Sequence, residues 1–440
     1  MDLVANLVAD YAMAERAARQ GGPAPVPARQ LKGNIMTVGV GGSTAEAELA
    51  AMRNMRGDVP PIGVDERLRR IARAQAIMQE KGIDALYLDV SSSMTYFTGL
   101  KFRRTERMHS AVLPAKGDIV YISPAFEVEK LKTMLSFGDK IAVWEEDEDP
   151  TATVTEAVRA LGYRSGTIAI DEATPFFTFD GLRRAGNAYT FINAIDVTAG
   201  CRMIKSEHEL ALMQTAKNIT LEAHKAAARI MREGITTTEV QAFLTAAHRK
   251  LGSEGDPPFN AVLFGEASAY PHGVPYPQTL KDGDMILIDT GAPIDGYLSD
   301  ITRSYVFGEP TRRQREVWNL EKAAQAAGFA AAKPGNRCED IDAAARGVIA
   351  GGGFGPGYAT PGLPHRTGHG VGLDVHEWPY LVKGDKTVLR PGMTFSNEPT
   401  ICIYGEFGVR LEDHMVITET GARWFTEPAH SVDDPFGLEK

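Results

Sequence analysis

Apolar and polar positions change period several times along the chain, and each change predicts an element. Over 65–81 the apolar residues Leu68, Ile71, Ala74 and Met78 recur at helical spacing, and Gly82 follows as a C-terminal stop. Apolar or alternating runs at 84–90, 117–123, 141–144 and 167–171 predict strands, with helical patterns at 127–135 and 152–161 between them. That alternation predicts an α/β domain. The pattern changes near 196–205, and Ser206 with Glu209 forms a capping box ahead of a long helix through Leu210, Met213, Ile219 and Ile230. We place the boundary there, with a first domain over 59–198 and a second over 199–440. Helices over 238–251 and 314–332 follow, the latter broken by Lys333-Pro334-Gly335. There is no short tandem repeat, although helix pairs precede each group of strands, the pattern an old duplication leaves.

Composition fits ordinary cores. The 440 residues exceed the size at which one core stops growing, and 43% of them are hydrophobic. With 47 basic and 57 acidic residues the formal charge is -10, so no basic field recruits nucleic acid or an anionic membrane. Three distant cysteines, Cys201, Cys338 and Cys402, form no Cys-x-x-Cys pair, which fits a reducing cytoplasm. No apolar run reaches the length of a membrane span, and no secretory signal opens the chain. Residues 1–58 read as a flexible tail, with a short amphipathic helix over 3–19, a Pro/Ala-rich linker over 21–30 and a candidate natural start at Met36.

The candidate chemistry lies beyond Phe259. Residues 284–290 and 297–307 read as two strands joined through Asp295-Gly296, a strong hairpin pair. If those two residues are the turn, Ile294 faces Tyr297, Asp289 faces Thr302, and Asp300 is the diagonal neighbour of Asp289 on one face. Diagonal neighbours are about 7 to 8 Å apart, close enough to share a metal centre. A lone aspartate is ordinarily a solvated strand end. Two within apolar strands need a compensating cation, and Arg303 faces the other way from Asp300. His365, His369 and His376 lie among glycines dense enough to argue against a helix, so spacing alone does not choose between them. Glu398 ends the strand after Pro391-Gly392-Met393, and Glu412 shares a strand face with Arg410, which alone would read as a surface ion pair. Together, four carboxylates and an imidazole suit manganese, cobalt or zinc.

With these residues assembled, the chain resembles the pita-bread metallopeptidases: prolidase, aminopeptidase P, methionine aminopeptidase and the metal-free creatinase. The resemblance runs over 62–430 and rests on Ile288-Asp-Thr-Gly291, Ser299-Asp-Ile-Thr-Arg303, Pro364-His-Arg-Thr-Gly-His-Gly370, Asn397-Glu-Pro399 and Val409-Arg-Leu-Glu-Asp413. It implies a creatinase-type N-terminal domain, a pita-bread α+β catalytic domain and a homodimer. It also implies two divalent metals, manganese first, with Asp289 on one, His369 and Glu398 on the other, Asp300 and Glu412 bridging both, and a hydroxide between the metals as the nucleophile. His376 would stabilise the oxyanion, Glu398 would pass a proton to the leaving nitrogen, and Arg410 would orient carboxylates. His272 and His365 match further active-site histidines, and Lys383 or Lys386 is left as the counterpart of the arginine that takes a dipeptide's carboxylate. Cys402 stands where many relatives carry a catalytic tyrosine. Tyr96-Phe-Thr-Gly99 belongs to a domain that methionine aminopeptidases lack, so the nearest resemblance is to bacterial Xaa-Pro dipeptidases.

The expected activity is hydrolysis of Xaa-Pro dipeptides, with aminopeptidase P action on longer peptides as the rival. A non-catalytic peptide-binding module would have lost ligands, and none is lost. A structural metal site would not need three further histidines and an arginine around it.

Overall fold

The computed structural model describes residues 37–439, so the expected tail helix, the linker and the candidate start at Met36 lie outside the described residues. Two units emerge from the packing, one over 60–204 and one that joins 37–59 to 205–439. In the first unit, helix α2 (Val64–Lys81) ends at Gly82, whose φ of 68° is the left-handed C-cap that glycine tolerates. Ile71, Ala74 and Met78 bury its inner face, whereas Leu68, expected on the same stripe, is 46% exposed. The sheet orders its strands β4-β3-β2-β1-β5-β6, with β1 (Ala85–Leu88), β2 (Ser110–Pro114), β3 (Val120–Pro124), β4 (Ile141–Trp144), β5 (Gly166–Ile170) and β6 (Tyr189–Asn193). Parallel pairs β3/β4, β1/β5 and β5/β6 flank the antiparallel β1/β2 and β2/β3. Strand β1 is buried at every residue, which is why it reads as a continuous apolar run. The expected helices form as α4 (Val128–Met134) and α5 (Pro150–Ala160), whereas strands β2 and β6, and helices α3 (Ser92–Thr98), α6 (Phe176–Ala185) and α7 (Ile195–Arg202), had no clear period to announce them.

The second unit opens with residues assigned above to the tail. Helix α1 (Ala45–Ala51) is capped by Thr44, Glu48 pairs with Arg229 at 2.7 Å, and Met52 is buried. Thr37 and Gly41 donate backbone hydrogen bonds to Gly308 and Ala228. Caps and turns dock this segment, and these leave no hydrophobic period in sequence. Helix α8 (Glu207–Arg229) starts at the Ser206/Glu209 capping box, and α9 (Thr237–Leu251) at a second one made by Thr236 and Glu239. They precede a three-stranded sheet, β11-β8-β7, made of β7 (Asn260–Phe264), β8 (Met285–Thr290) and β11 (Ile301–Val306). A second helix pair, α10 (Arg312–Ala331) and α11 (Cys338–Gly351), precedes a five-stranded sheet, β13-β12-β14-β17-β18. Its members are β12 (Gly368–Gly370), β13 (Glu377–Leu381), β14 (Thr394–Asn397), β17 (Asp413–Ile417) and β18 (Ala422–Trp424), and β15 (Thr400–Ile403) pairs with β16 (Phe407–Arg410) beside it. The twice-repeated order of helix pair and sheet is the architecture of the pita-bread fold.

Candidate metal centre

The hairpin sets the first two carboxylates. Asp295 and Gly296 take φ of 48° and 84°, the left-handed pair that a two-residue turn requires. Ile294 then faces Tyr297, and Thr302 faces Asp289. The second strand is not continuous as expected. It divides into β10 (Tyr297–Leu298) and β11, and Asp300 sits in the break. Register is kept across the break, where Ser299 N donates to Ala292 O at 3.1 Å while its Oγ accepts from Ala292 N at 2.7 Å and meets Thr220 Oγ1 at 2.6 Å. A side chain at Gly291 would collide with the Ser299 carbonyl oxygen, so this close approach needs glycine.

Glu412 also lies in a break, between β16 and β17, and not inside the single strand expected over 409–418. Its backbone N donates to Thr302 O at 3.1 Å, and Thr302 Oγ1 donates to its Oε2 at 2.7 Å. Arg410 donates to Asp289 Oδ2 at 2.7 Å, to Thr302 Oγ1 at 3.1 Å and to Pro271 O at 3.1 Å. One guanidinium therefore ties the Asp289 strand to the Glu412 segment. Arg303 faces away, fully buried, and pairs with Asp413 at 2.7 Å.

His369 on β12 has Nδ1 3.0 Å from Gly370 O, which keeps a proton there, and its Nε2 lies 3.0 Å from Glu398 Oε1 and 3.7 Å from Asp300 Oδ2, where it is the nitrogen a metal would take. Ser396 Oγ accepts from His369 N and donates to Glu398 Oε1. Burial, then the Glu412, Asp289 and Glu398 carboxylates, push Asp300 well above the usual carboxylate range. Glu412 is raised in the same way, by burial first and then by Glu398 and Asp289. Burial also acts against ionised Glu398, but the hydrogen bond and charge of His369, then His365 and Arg410, hold it down to about 2.

These residues fit a divalent metal. Asp289 Oδ1, Asp300 Oδ1 and Glu412 Oε1 are buried with no hydrogen-bond donor. Buried anionic oxygens without partners cost several kcal/mol unless a cation meets them. Two groups of donor atoms lie within 4.8 Å, His369/Glu398/Glu412 and Asp300/Glu412/His414. A cavity of about 850 Å³ opens onto the cluster and is lined by Asp289, Asp300, His369, Glu398 and Arg410. His272, His365 and His376 line it too. The His376 ring lies 4.1 Å from that of His369, and burial and His369 push it down to about 4, so it is a neutral donor near neutral pH. His365 Nδ1 contacts Arg366 O at 2.7 Å.

Lys383 is exposed and lies outside the cavity lining, and Lys386 is exposed as well. Arg366 occupies the cavity wall instead, its guanidinium 4.2 Å from the Tyr380 ring and with no carboxylate partner among the described residues. Sequence reasoning passed over Arg366, Thr302, Ser396 and His414. The two-residue period from Asp300 to Thr302 and from Glu412 to His414 was the available signal for two of them.

Residues 211–419 match Metallopeptidase family M24, and residues 70–204 match the Creatinase/Prolidase N-terminal domain. The chain is 30% identical over 361 residues to the putative dipeptidase YkvY of Bacillus subtilis, covering 82% of this chain and 98% of that one. It is 31% identical over 367 residues to the Xaa-Pro dipeptidase of Pyrococcus furiosus, again 82% and 98% of the two chains. Among solved structures, dipeptidase PepE from Mycobacterium ulcerans superposes with a TM-score of 0.79 at 30% identity, covering 85% of this chain and 99% of that one. The prolidase from Pyrococcus horikoshii superposes with a TM-score of 0.71 at 30% identity, covering 82% and 98%. No described helix is long and apolar enough to cross a membrane.

Proposed function

Because the chain belongs to metallopeptidase family M24, we propose that it hydrolyses the Xaa-Pro bond of dipeptides with a pair of divalent metals, manganese first and cobalt or zinc next. One observation carries the reading: Asp289, Asp300, His369, Glu398 and Glu412 converge, with orphaned buried oxygens among them, at the end of a cavity large enough for a peptide. Asp289, Asp300, His369, Glu398 and Glu412 would hold the two ions, whose contribution would be a lowered pKa of water and a polarised scissile carbonyl.

The chain's own residues bind, orient and move protons. Arg410 fixes Asp289, and Thr302 fixes Glu412, so neither carboxylate has to find its rotamer when substrate arrives. Neutral His376 donates a hydrogen bond to the carbonyl oxygen as charge develops on it. Glu398, ionised at rest, takes the proton released by the attacking water and passes it to the departing proline nitrogen, a secondary amine that leaves poorly unless protonated. His272 and His365 hold the peptide in the cavity. Arg366 donates to the carboxylate that only the end of a dipeptide presents beside the scissile bond, and this favours the dipeptidase over the aminopeptidase P reading.

The test is hydrolysis of Ala-Pro against Ala-Pro-Gly by metal-reconstituted protein. Cleavage of the dipeptide in preference is expected. Preference for the tripeptide would establish the aminopeptidase P reading, and turnover of neither with manganese, cobalt or zinc would end the peptidase reading.

A further inference from the structure

Strand β17 has the sequence Asp-His-Met-Val-Ile, an apolar run entered by one histidine. The two-residue period puts His414 on the face of Glu412, and its imidazole is fully buried. Neither ring nitrogen makes a hydrogen bond, and Nε2 lies 4.0 Å from Glu412 Oε1. A buried histidine with both nitrogens unmet gives up its hydration without return, so a partner is required.

The neighbouring groups define that partner. Asp300 Oδ1 and Glu412 Oε1 are also unmet, and the ligand atoms of Asp300, Glu412 and His414 lie within 4.8 Å of one another. A neutral imidazole keeps one bare nitrogen, so at least three acceptors face each other. A water has two protons to offer and no charge. A divalent cation satisfies all three acceptors and compensates two buried carboxylates. Lys217 Nζ is close enough for its charge to reach Asp300, but it donates to Leu298 O at 3.1 Å, lies 4.7 Å from the Phe425 ring, and leaves the three acceptors without a donor.

We propose that His414 is a further ligand of the cation held by Asp300 and Glu412, so that the centre carries two imidazoles, His369 and His414. The inference rests on the metal-centre reading above and adds a nitrogen donor that the five-residue set lacks. A second imidazole raises affinity for cobalt and zinc relative to manganese, because nitrogen donors favour the borderline ions.

The test uses the full chain with ring-labelled ¹⁵N-histidine, stripped by chelator and reloaded with zinc, which is diamagnetic. Ring-nitrogen resonances of both His369 and His414 should move on loading, the His414 signal being assigned by its loss in His414→Thr or His414→Gln, whichever folds. Zinc affinity measured by calorimetry should fall about tenfold or more in the same variant, at least the loss seen when an outer partner of a metal ligand is removed. Zinc uptake with the His414 resonances unmoved would overturn this inference alone. Absence of any zinc uptake would overturn the metal-centre reading and the inference with it.

Discussion

Replacing Arg366 with methionine keeps the length and apolar stem of the side chain and removes its charge. The guanidinium lines the cavity, is stacked 4.2 Å from the Tyr380 ring, and has no carboxylate of its own among the described residues. A hydrogen bond to a charged group contributes about 1.5 to 3 kcal/mol. At about 1.4 kcal/mol per factor of ten, Arg366→Met should raise KM for Ala-Pro by about 10- to 150-fold. The contact lies away from the breaking bond and is made equally before and during reaction, so kcat should hold. Steady-state kinetics on Ala-Pro and on its C-terminal amide separate the cases. The wild-type protein should handle the amide about as poorly as Arg366→Met handles Ala-Pro, and Arg366→Lys should recover only part of the loss, lacking the planar fork. Equal KM for Ala-Pro in wild type and Arg366→Met would refute the carboxylate role.

Three further outcomes follow from burial and contact. Burial first, then the Arg303 charge, pushes His224 down to about 3, and burial pushes His248 down to about 4, both from 6.5. Below pH 6.5 the unfolded chain takes up protons that the folded one refuses, so stability falls from pH 6.5 toward 4, by up to about 1.4 kcal/mol per pH unit for each histidine. Urea titrations across that window should show the slope, and His248→Gln should reduce it; a flat profile would contradict the assignment. Arg303→Met strands Asp413 without its buried partner and should cost about 3 to 5 kcal/mol, read as a lowered urea midpoint, with no change meaning the pair is not structural. Gly291→Ala places a methyl against the Ser299 carbonyl beside Asp300, and should lower metal affinity measured by calorimetry; unchanged affinity would show that the hairpin has slack.

The hairpin was legible because Asp295-Gly296 fixes a turn, the turn fixes register, and register fixes which aspartates share a face. The breaks at Asp300 and Glu412 were not legible. Ser299 Oγ is held by Thr220, 79 positions away, and local pattern carries no sign of such a partner. His414 hid inside an apolar run, since burial and lack of a partner are properties of the fold alone. Lys383 was what the resemblance left, in the loop after His376, as counterpart of a carboxylate-binding arginine, while Arg366, between two histidines, is set in the cavity wall by the packing of β13 and its Tyr380. Residues 37–59 lack any apolar stripe and dock by the Glu48–Arg229 ion pair and by backbone hydrogen bonds to Ala228 and Gly308, partners far away in sequence.

The central claim is that the orphaned carboxylates around His369 hold two metals and that peptide hydrolysis depends on them. Chelator-stripped protein titrated with manganese, with bound metal and Ala-Pro hydrolysis followed together, tests it most directly. Activity should be absent at the start and rise as the chain fills to two ions, whereas full hydrolysis by metal-free protein, or saturation of activity without metal uptake, would contradict the account.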